Sequence, residues 1–245
     1  MVQIDAHELS KVYGDRQAVR KLSFQVHSGE LMGLVGPNGA GKTTTIRMLC
    51  GVIPPTSGRI SISGHPVTGD AIEAKRNLAL VPDTPNLFTA LTVWEHLELA
   101  ARLYRLEDGW QTAAEELLER VELIDRRDTV ADELSRGMRQ KVGICAALLH
   151  KPKVLLLDEP LTGLDPRGIR TLHDLIKESA QAGTAVLIST HLLHQLQELC
   201  TSYLLIKEGE QVVRGSLETI RQQMPRLRAD AGLEEIFFEA TEGPG

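Results

Sequence analysis

The sequence predicts an α/β fold: a parallel sheet core, an N-terminal antiparallel β subdomain and an inserted helical subdomain. Three observations lead there. Five short apolar runs, LMGLV (31–35), LALV (78–81), VLLLD (154–158), AVLIS (185–189) and YLLI (203–206), have the texture of strands buried on both faces. Parallel sheets covered by helices require that texture. LSFQVH (22–27) and RISIS (59–63) instead alternate apolar and polar residues, as half-exposed antiparallel strands at one edge do. Between Thr84 and His150 the strand texture vanishes and helical spacing replaces it.

In chain order, the run 31–35 leads into GPNGAGKTT (36–44) and then a helix in TTIRMLCG (44–51). The helical insert carries three apolar stripes: Val93, Leu97, Ala100 and Tyr104; Ala114, Leu117, Leu118 and Val121; and Met138, Val142, Cys145 and Leu149. Ser135 stands immediately ahead of the third stripe and predicts its N-cap. After Gly209 the pattern gives a short strand and charged helical pieces, with EGPG (242–245) as a frayed end. Trp94 lies one position, about 100°, off the Val93–Leu97 stripe. With Phe88 it is expected to form a contact surface for a partner.

Composition narrows the function. The chain has 245 residues, 42% hydrophobic and 24% charged, and a net charge of −6. Those values are ordinary for a soluble globular protein, and the negative balance speaks against a sequence-independent nucleic-acid binder. The densest basic stretch, Arg221 to Arg228, is interrupted by Met224 and Pro225. Cys50, Cys145 and Cys200 are widely spaced among apolar residues, which predicts reduced, mostly buried thiols. No apolar run reaches the roughly 18 residues of a membrane span. MVQIDAHELSKVYG (1–14) lacks the basic and apolar regions of a signal peptide.

The chemistry is concentrated in GPNGAGKTT. Its spacing, G-x-x-x-x-G-K-[ST] between a strand and a helix, is that of a loop that wraps phosphates. Gly36, Gly39 and Gly41 let the backbone curl so that successive N–H groups face phosphate oxygens, and the helix start adds its dipole. Lys42 supplies a charge for the β- and γ-phosphates, and the Thr43 hydroxyl suits Mg²⁺. VLLLDEP (154–160) delivers Asp158 and Glu159 at a strand's C-terminal edge. There one acid can serve the metal and the other can aim at water. Adjacent acids after a strand also serve as simple helix N-terminal charge. His191, in LISTH, follows another buried strand to the same sheet edge. DELSRGMRQK (132–141) reads as a second helix start able to hold an anion.

With these motifs in order, residues 1 to about 215 resemble the ATPase subunits of ABC transporters. GPNGAGKTT resembles Walker A, LSRGM the signature, LLLDEP Walker B, GLD (163–165) the D-loop and STH the switch histidine. The resemblance implies a P-loop NTPase (RecA-like) core over 1–82 and 151–215, a helical subdomain over 83–150 and a C-terminal extension over 216–245. It implies ATP and Mg²⁺ as cofactors, held by Gly36, Pro37, Asn38, Gly39, Ala40, Gly41, Lys42, Thr43 and Thr44, with Tyr13 stacking on adenine. Thr43, Asp158 and Asp83 would serve the metal, and Glu159 and His191 the hydrolysis. In the family two subunits pack head to tail, so Ser135 and Gly137 would cap the partner's ATP, with Asp165 in the D-loop. The implied partners are a second ATPase subunit, identical or not, and an integral membrane permease. The implied location is cytoplasmic, at the inner face of the membrane.

Two departures stand out. The commonest signature is L-S-G-G-Q, where this chain has Arg136 and Met138; and Asp83 stands where the family usually has the Q-loop glutamine. LTVWEHLELAARLY (91–104) and GLEEIFFEA (232–240) are similar to ATPases of ABC-2-type and Ecs-like exporters. Two alternatives stay open: a soluble non-transport ABC ATPase, and a degenerate ATP-binding regulatory module. The single cassette speaks against the first, and Lys42, Glu159 and His191 against the second.

Overall fold

The computed structural model describes residues 1–69, 71–224, 227–228 and 230–242. The expected fray at 243–245, and Pro225 and Arg226 of the basic stretch, lie outside the described residues. The chain opens with a hairpin of two twelve-residue strands, β1 (Val2–Tyr13) and β2 (Arg16–His27), whose last facing pair is Tyr13 and Arg16. β3 (Leu31–Val35) follows, then α1 (Lys42–Leu49), β4 (Ser57–Ile62), the two-residue β5 (His65–Pro66), α2 (Ile72–Arg76) and β6 (Leu78–Val81). The helical insert holds α3 (Val93–Tyr104), α4 (Trp110–Arg120) and α5 (Arg136–Leu149). The chain then returns to the core with β7 (Val154–Asp158), α6 (Pro166–Gln181), β8 (Ala185–Ser189), α7 (Leu193–Leu199), β9 (Ser202–Lys207) and β10 (Glu210–Gly215). It ends in α8 (Leu217–Gln223) and α9 (Leu233–Glu242).

Two sheets result, in the orders β2-β1-β4-β5 and β10-β9-β3-β8-β7-β6. The first is antiparallel. In the second, β9, β3, β8, β7 and β6 are parallel and β10 is antiparallel at the edge. The apolar runs owe their continuity to this sandwiching. Met32, Leu34, Val154 and Leu156 point toward the antiparallel sheet and α1, whereas Leu31, Val35, Leu155 and Leu157 join the core shared with the helical insert. Neither face of the central strands meets water, so neither face is polar.

α3 starts at a capping box. The Thr92 hydroxyl accepts from Glu95 N–H at 3.1 Å, and the Glu95 carboxylate accepts from Thr92 N–H at 2.8 Å, which holds that carboxyl below its usual range. Ser135 caps α5, its Oγ accepting from Met138 N–H at 3.3 Å. The tail packs back onto the core. Leu233 and Ile236 of α9 are fully buried, and Gln197 of α7 accepts from Leu233 N–H at 2.6 Å. Cys50, Cys145 and Cys200 are free; burial pushes Cys145 up to about 12 and also raises the other two.

The sequence reading did not name β1, the inner strand of the antiparallel sheet, where a register shift between Ala6 and Leu9, with Glu8 at φ 48°, interrupts the two-residue period. Two expectations change. In α3 the deeply buried alanine is Ala101, not Ala100. Trp94 is not a free surface anchor. Its ring lies 5.4 Å from that of Trp110, with the Arg127 guanidinium 4.0 Å over it, so α4 and the segment after it cover the side chain. Phe88 remains 64% exposed.

Candidate active site

The site is built where β3, β7 and β8 end. α1 begins straight after Gly41, which has φ 107° and whose added Cβ would stand 2.6 Å from the Ala18 carbonyl. Only glycine fits that left-handed, crowded position, so the loop can close over the helix start with its N–H groups turned inward. Lys42 extends back along the loop, its Nζ donating to the Gly36 carbonyl at 2.6 Å and the Pro37 carbonyl at 3.1 Å. Burial lowers its pKa, and the Glu159 and Asp158 carboxylates oppose that shift. Ala40 is buried, its carbonyl accepting from Gly209 N–H at 3.0 Å, which pins the loop to the β9–β10 turn.

A cleft of about 460 Å³ opens over this loop. Asn38, Gly39, Gly41, Lys42, Thr43 and Thr44 form its floor, and Asp158 and Glu159 form one wall. Tyr13, Arg16 and Ala18 of the β1–β2 hairpin form the other. Tyr13 is 48% exposed, an aromatic face open for stacking, with Lys11 Nζ 5.1 Å from the ring centre on one side. Asp158 is buried and accepts from Ser189 Oγ at 2.5 Å. Glu159 sits at φ 50°, an uncommon conformation for a non-glycine residue, fixed by its N–H donating to the Ser189 carbonyl at 2.9 Å. Its carboxylate accepts from His191 N–H at 3.3 Å and lies 2.9 Å from His191 Nδ1. The predicted acid and histidine are therefore direct partners, joined across the ends of adjacent strands.

Other predicted residues lie elsewhere. Ser135 and Gly137 do not line the cleft; they start α5 beside the 161–165 turn, where Asp165 caps α6 by accepting from Gly168 N–H at 2.9 Å. A Cβ on Gly137 would stand 2.5 Å from the Gly163 carbonyl, so close packing within the chain already demands glycine there. Asp83 is exposed, is not part of the cleft lining, and offers its backbone carbonyl to Arg136 at 3.4 Å. His191 is well exposed beside Glu159. Sequence reading missed Arg16, whose Nη2 lies 3.4 Å from where a Cβ on Gly39 would be. Its only signal was its place two residues after Gly14, opposite Tyr13 in the hairpin.

A phosphate-wrapping loop at a helix start, with paired acids and a histidine at neighbouring strand ends, defines a nucleotide triphosphatase of the P-loop class. Residues 19–162 match the ABC transporter family, and the chain belongs to it. It is 33% identical to the ABC-type transporter ATP-binding protein EcsA of Bacillus subtilis (strain 168), over 99% of this chain and 98% of that one. It is 38% identical to the Nod factor export ATP-binding protein I of Burkholderia orbicola (strain AU 1054), over 87% of this chain and 70% of that one. The fold is similar, with a TM-score of 0.80 and 25% identity over 87% of this chain and 98% of the other, to a dimeric ATP-binding cassette solved in a post-hydrolysis state with ADP and Pi. The chain is thus an ATP-binding protein of the ABC ATPase kind. Among the described residues, no helix is long and apolar enough to cross a membrane.

Proposed function

We propose that this chain is the ATP-hydrolysing subunit of an exporter, working as a head-to-tail pair docked on a separate membrane permease at the inner face of the membrane. The observation that carries the reading is the separation of the two anion sites. Lys42 and Glu159 line the cleft, with His191 on Glu159 beside it, while the capped start of α5 lies outside it. A second copy would bring Ser135 and Gly137 to the open side of that cleft. The similarity to a dimeric cassette with ADP and Pi supports the pairing, and that to a protein named for Nod factor export supports the direction. Self-association of this chain with ATP is what a pair of identical subunits requires.

Each residue then has a task. Tyr13 stacks on adenine, and the N–H groups of residues 38–44 with Lys42 hold the phosphates. Glu159 accepts the proton of the attacking water, and His191 orients that carboxylate through the 2.9 Å contact. Thr43 and Asp158 present a hydroxyl and a carboxylate to the same cleft, hard oxygen donors that fit Mg²⁺. When bound, the ion would neutralise charge on the β- and γ-phosphates. The exposed Asp83 would reach that ion only through water, which Mg²⁺ readily retains.

Glu159→Gln tests the reading, because it removes the base and keeps every phosphate donor. Size-exclusion chromatography with ATP should show the variant as a stable dimer with turnover abolished. A variant that stays monomeric at high concentration and hydrolyses normally would sink it.

A further inference from the structure

Arg136 occupies the signature position at which the commonest family sequence has glycine, and no step above uses it. It is the first residue of α5, directly behind the Ser135 cap. Its side chain runs along Gly163, where an added Cβ would be 3.5 Å from both Cγ and Cδ. Its Nη2 donates to the Asp83 carbonyl at 3.4 Å. One turn further, Gln140 is 1% exposed and donates from Nε2 to the Pro82 carbonyl at 3.5 Å, leaving Oε1 without a partner. Beside it the Gly137 backbone packs on the Gly163 carbonyl. The first two turns of α5 therefore hold two consecutive carbonyls of the loop after β6 on one side and the 161–165 turn on the other. Arg136 and Arg139 bound a recess of about 300 Å³ there with Thr84 and Pro85.

We infer that Arg136 is a positioning residue that ties the signature turn to both loops. It carries a displacement of Ser135 and Gly137, imposed by the partner's nucleotide, to Asp83 and Asp165. The inference rests on the head-to-tail reading of the site. Its physical basis is that one side chain makes both contacts. The aliphatic stem supplies packing on Gly163, and the planar guanidinium supplies the donor to Asp83. A glycine at this position would leave the loop after β6 held to α5 by the 3.5 Å Gln140 contact, the longer of the two. The competing role, a cation reaching the partner's phosphates, requires the guanidinium to leave Asp83 and point away from its own chain.

The test is hydrogen–deuterium exchange in the Glu159→Gln background with and without ATP and Mg²⁺, which separates motion from turnover. With Arg136 present, ATP should slow exchange at residues 82–85 and 161–165. Arg136→Gly should bind ATP as a monomer within about twofold of its parent, melt within a few degrees of it and still dimerise, while protection at both loops falls several-fold. Arg136→Met, which keeps the stem without the donor, should restore protection at 161–165 only; Arg136→Lys should recover part of that at 82–85. Protection unchanged in Arg136→Gly overturns the inference. So does loss of dimerisation with intact monomer binding, which would assign Arg136 to the partner's phosphates. If the Glu159→Gln parent itself fails to associate with ATP, the head-to-tail reading falls first and the inference with it.

Discussion

Gly137→Ala asks whether the signature turn is held by its own chain. The added Cβ would lie 2.5 Å from the Gly163 carbonyl oxygen, whereas ordinary contact begins at 3.4 Å. Backbone faces backbone here, so no side-chain rotation can relieve the overlap. The start of α5 and the 161–165 turn must separate by about 0.9 Å, the difference between those two distances. Overpacking of this kind costs roughly 1–3 kcal/mol. At about 2–4 °C per kcal/mol for a chain of this size, a 2 kcal/mol cost lowers the melting temperature by about 4–8 °C. The same shift moves Ser135 by most of an ångström, and misplacement on that scale costs on the order of 10²-fold in turnover. Differential scanning fluorimetry and a coupled ATPase assay read both effects. Gly143→Ala is the internal control: it lies in the same helix, its Cβ would meet nothing within 4 Å, and helix propensity favours the change. The reasoning fails if Gly137→Ala melts and turns over as Gly143→Ala does.

Lys42→Ala removes a charged donor to the phosphates and should weaken ATP binding about 10- to 100-fold, read by isothermal titration; unchanged affinity would remove Lys42 from the site. Arg16→Gln should weaken ADP and ATP several-fold and leave adenosine binding untouched, whereas Tyr13→Ala should weaken all three; equal effects on adenosine and ATP in Arg16→Gln would place it against the base instead. His150 carries a pH dependence. Its ring stacks on Tyr104 at 3.5 Å, and burial pulls its pKa down to about 4, with the Leu78 carbonyl opposing. Between about 4 and 6.5 the unfolded chain binds the proton and the folded chain does not, so stability is complete above 6.5 and declines as pH falls toward 4. For a partly exposed ring the loss is discounted to about 1–2 kcal/mol. Unfolding free energies from denaturant titrations at pH 7 and 4.5 should differ less in His150→Phe by that amount, and an unchanged difference would refute it.

The strands were legible because burial on both faces writes itself as unbroken apolar runs. The runs 31–35, 78–81, 154–158 and 185–189 coincide with β3, β6, β7 and β8. The Ser135 cap was equally legible, since capping is local chemistry between a hydroxyl and an N–H three residues on. What stayed hidden depends on residues far apart in the chain. The demand for glycine at 137 comes from Gly163, the cover on Trp94 comes from Trp110 and Arg127, and the place of Arg16 comes from a hairpin folding over the phosphate loop. The family resemblance also implied Asp83 at the metal; its backbone carbonyl meets Arg136 and its side chain is not part of the cleft lining. The His191–Glu159 contact lies between these cases. Each residue could be read at a strand end, but only the adjacency of β7 and β8 brings them to 2.9 Å.

That contact bears on how hydrolysis would be controlled on the proposed reading. On that reading one chain already holds Glu159 in an uncommon conformation against His191, with the phosphate loop formed and Lys42 Nζ held on the Gly36 and Pro37 carbonyls. By the same reading the second chain supplies donors for the charge that develops on the γ-phosphate, and each such donor is worth about 3–4 kcal/mol of barrier. Catalysis then waits on association rather than on rearrangement of the base. At low concentration the turnover per chain should rise with protein concentration. A permease that holds two copies would raise their effective concentration toward the millimolar range and remove that dependence. Nothing new need be built in the catalytic wall for the membrane subunit to govern the rate. It need only control how often the start of one α5 meets the other chain's cleft, and Arg136 and Gly137 sit at the root of that turn.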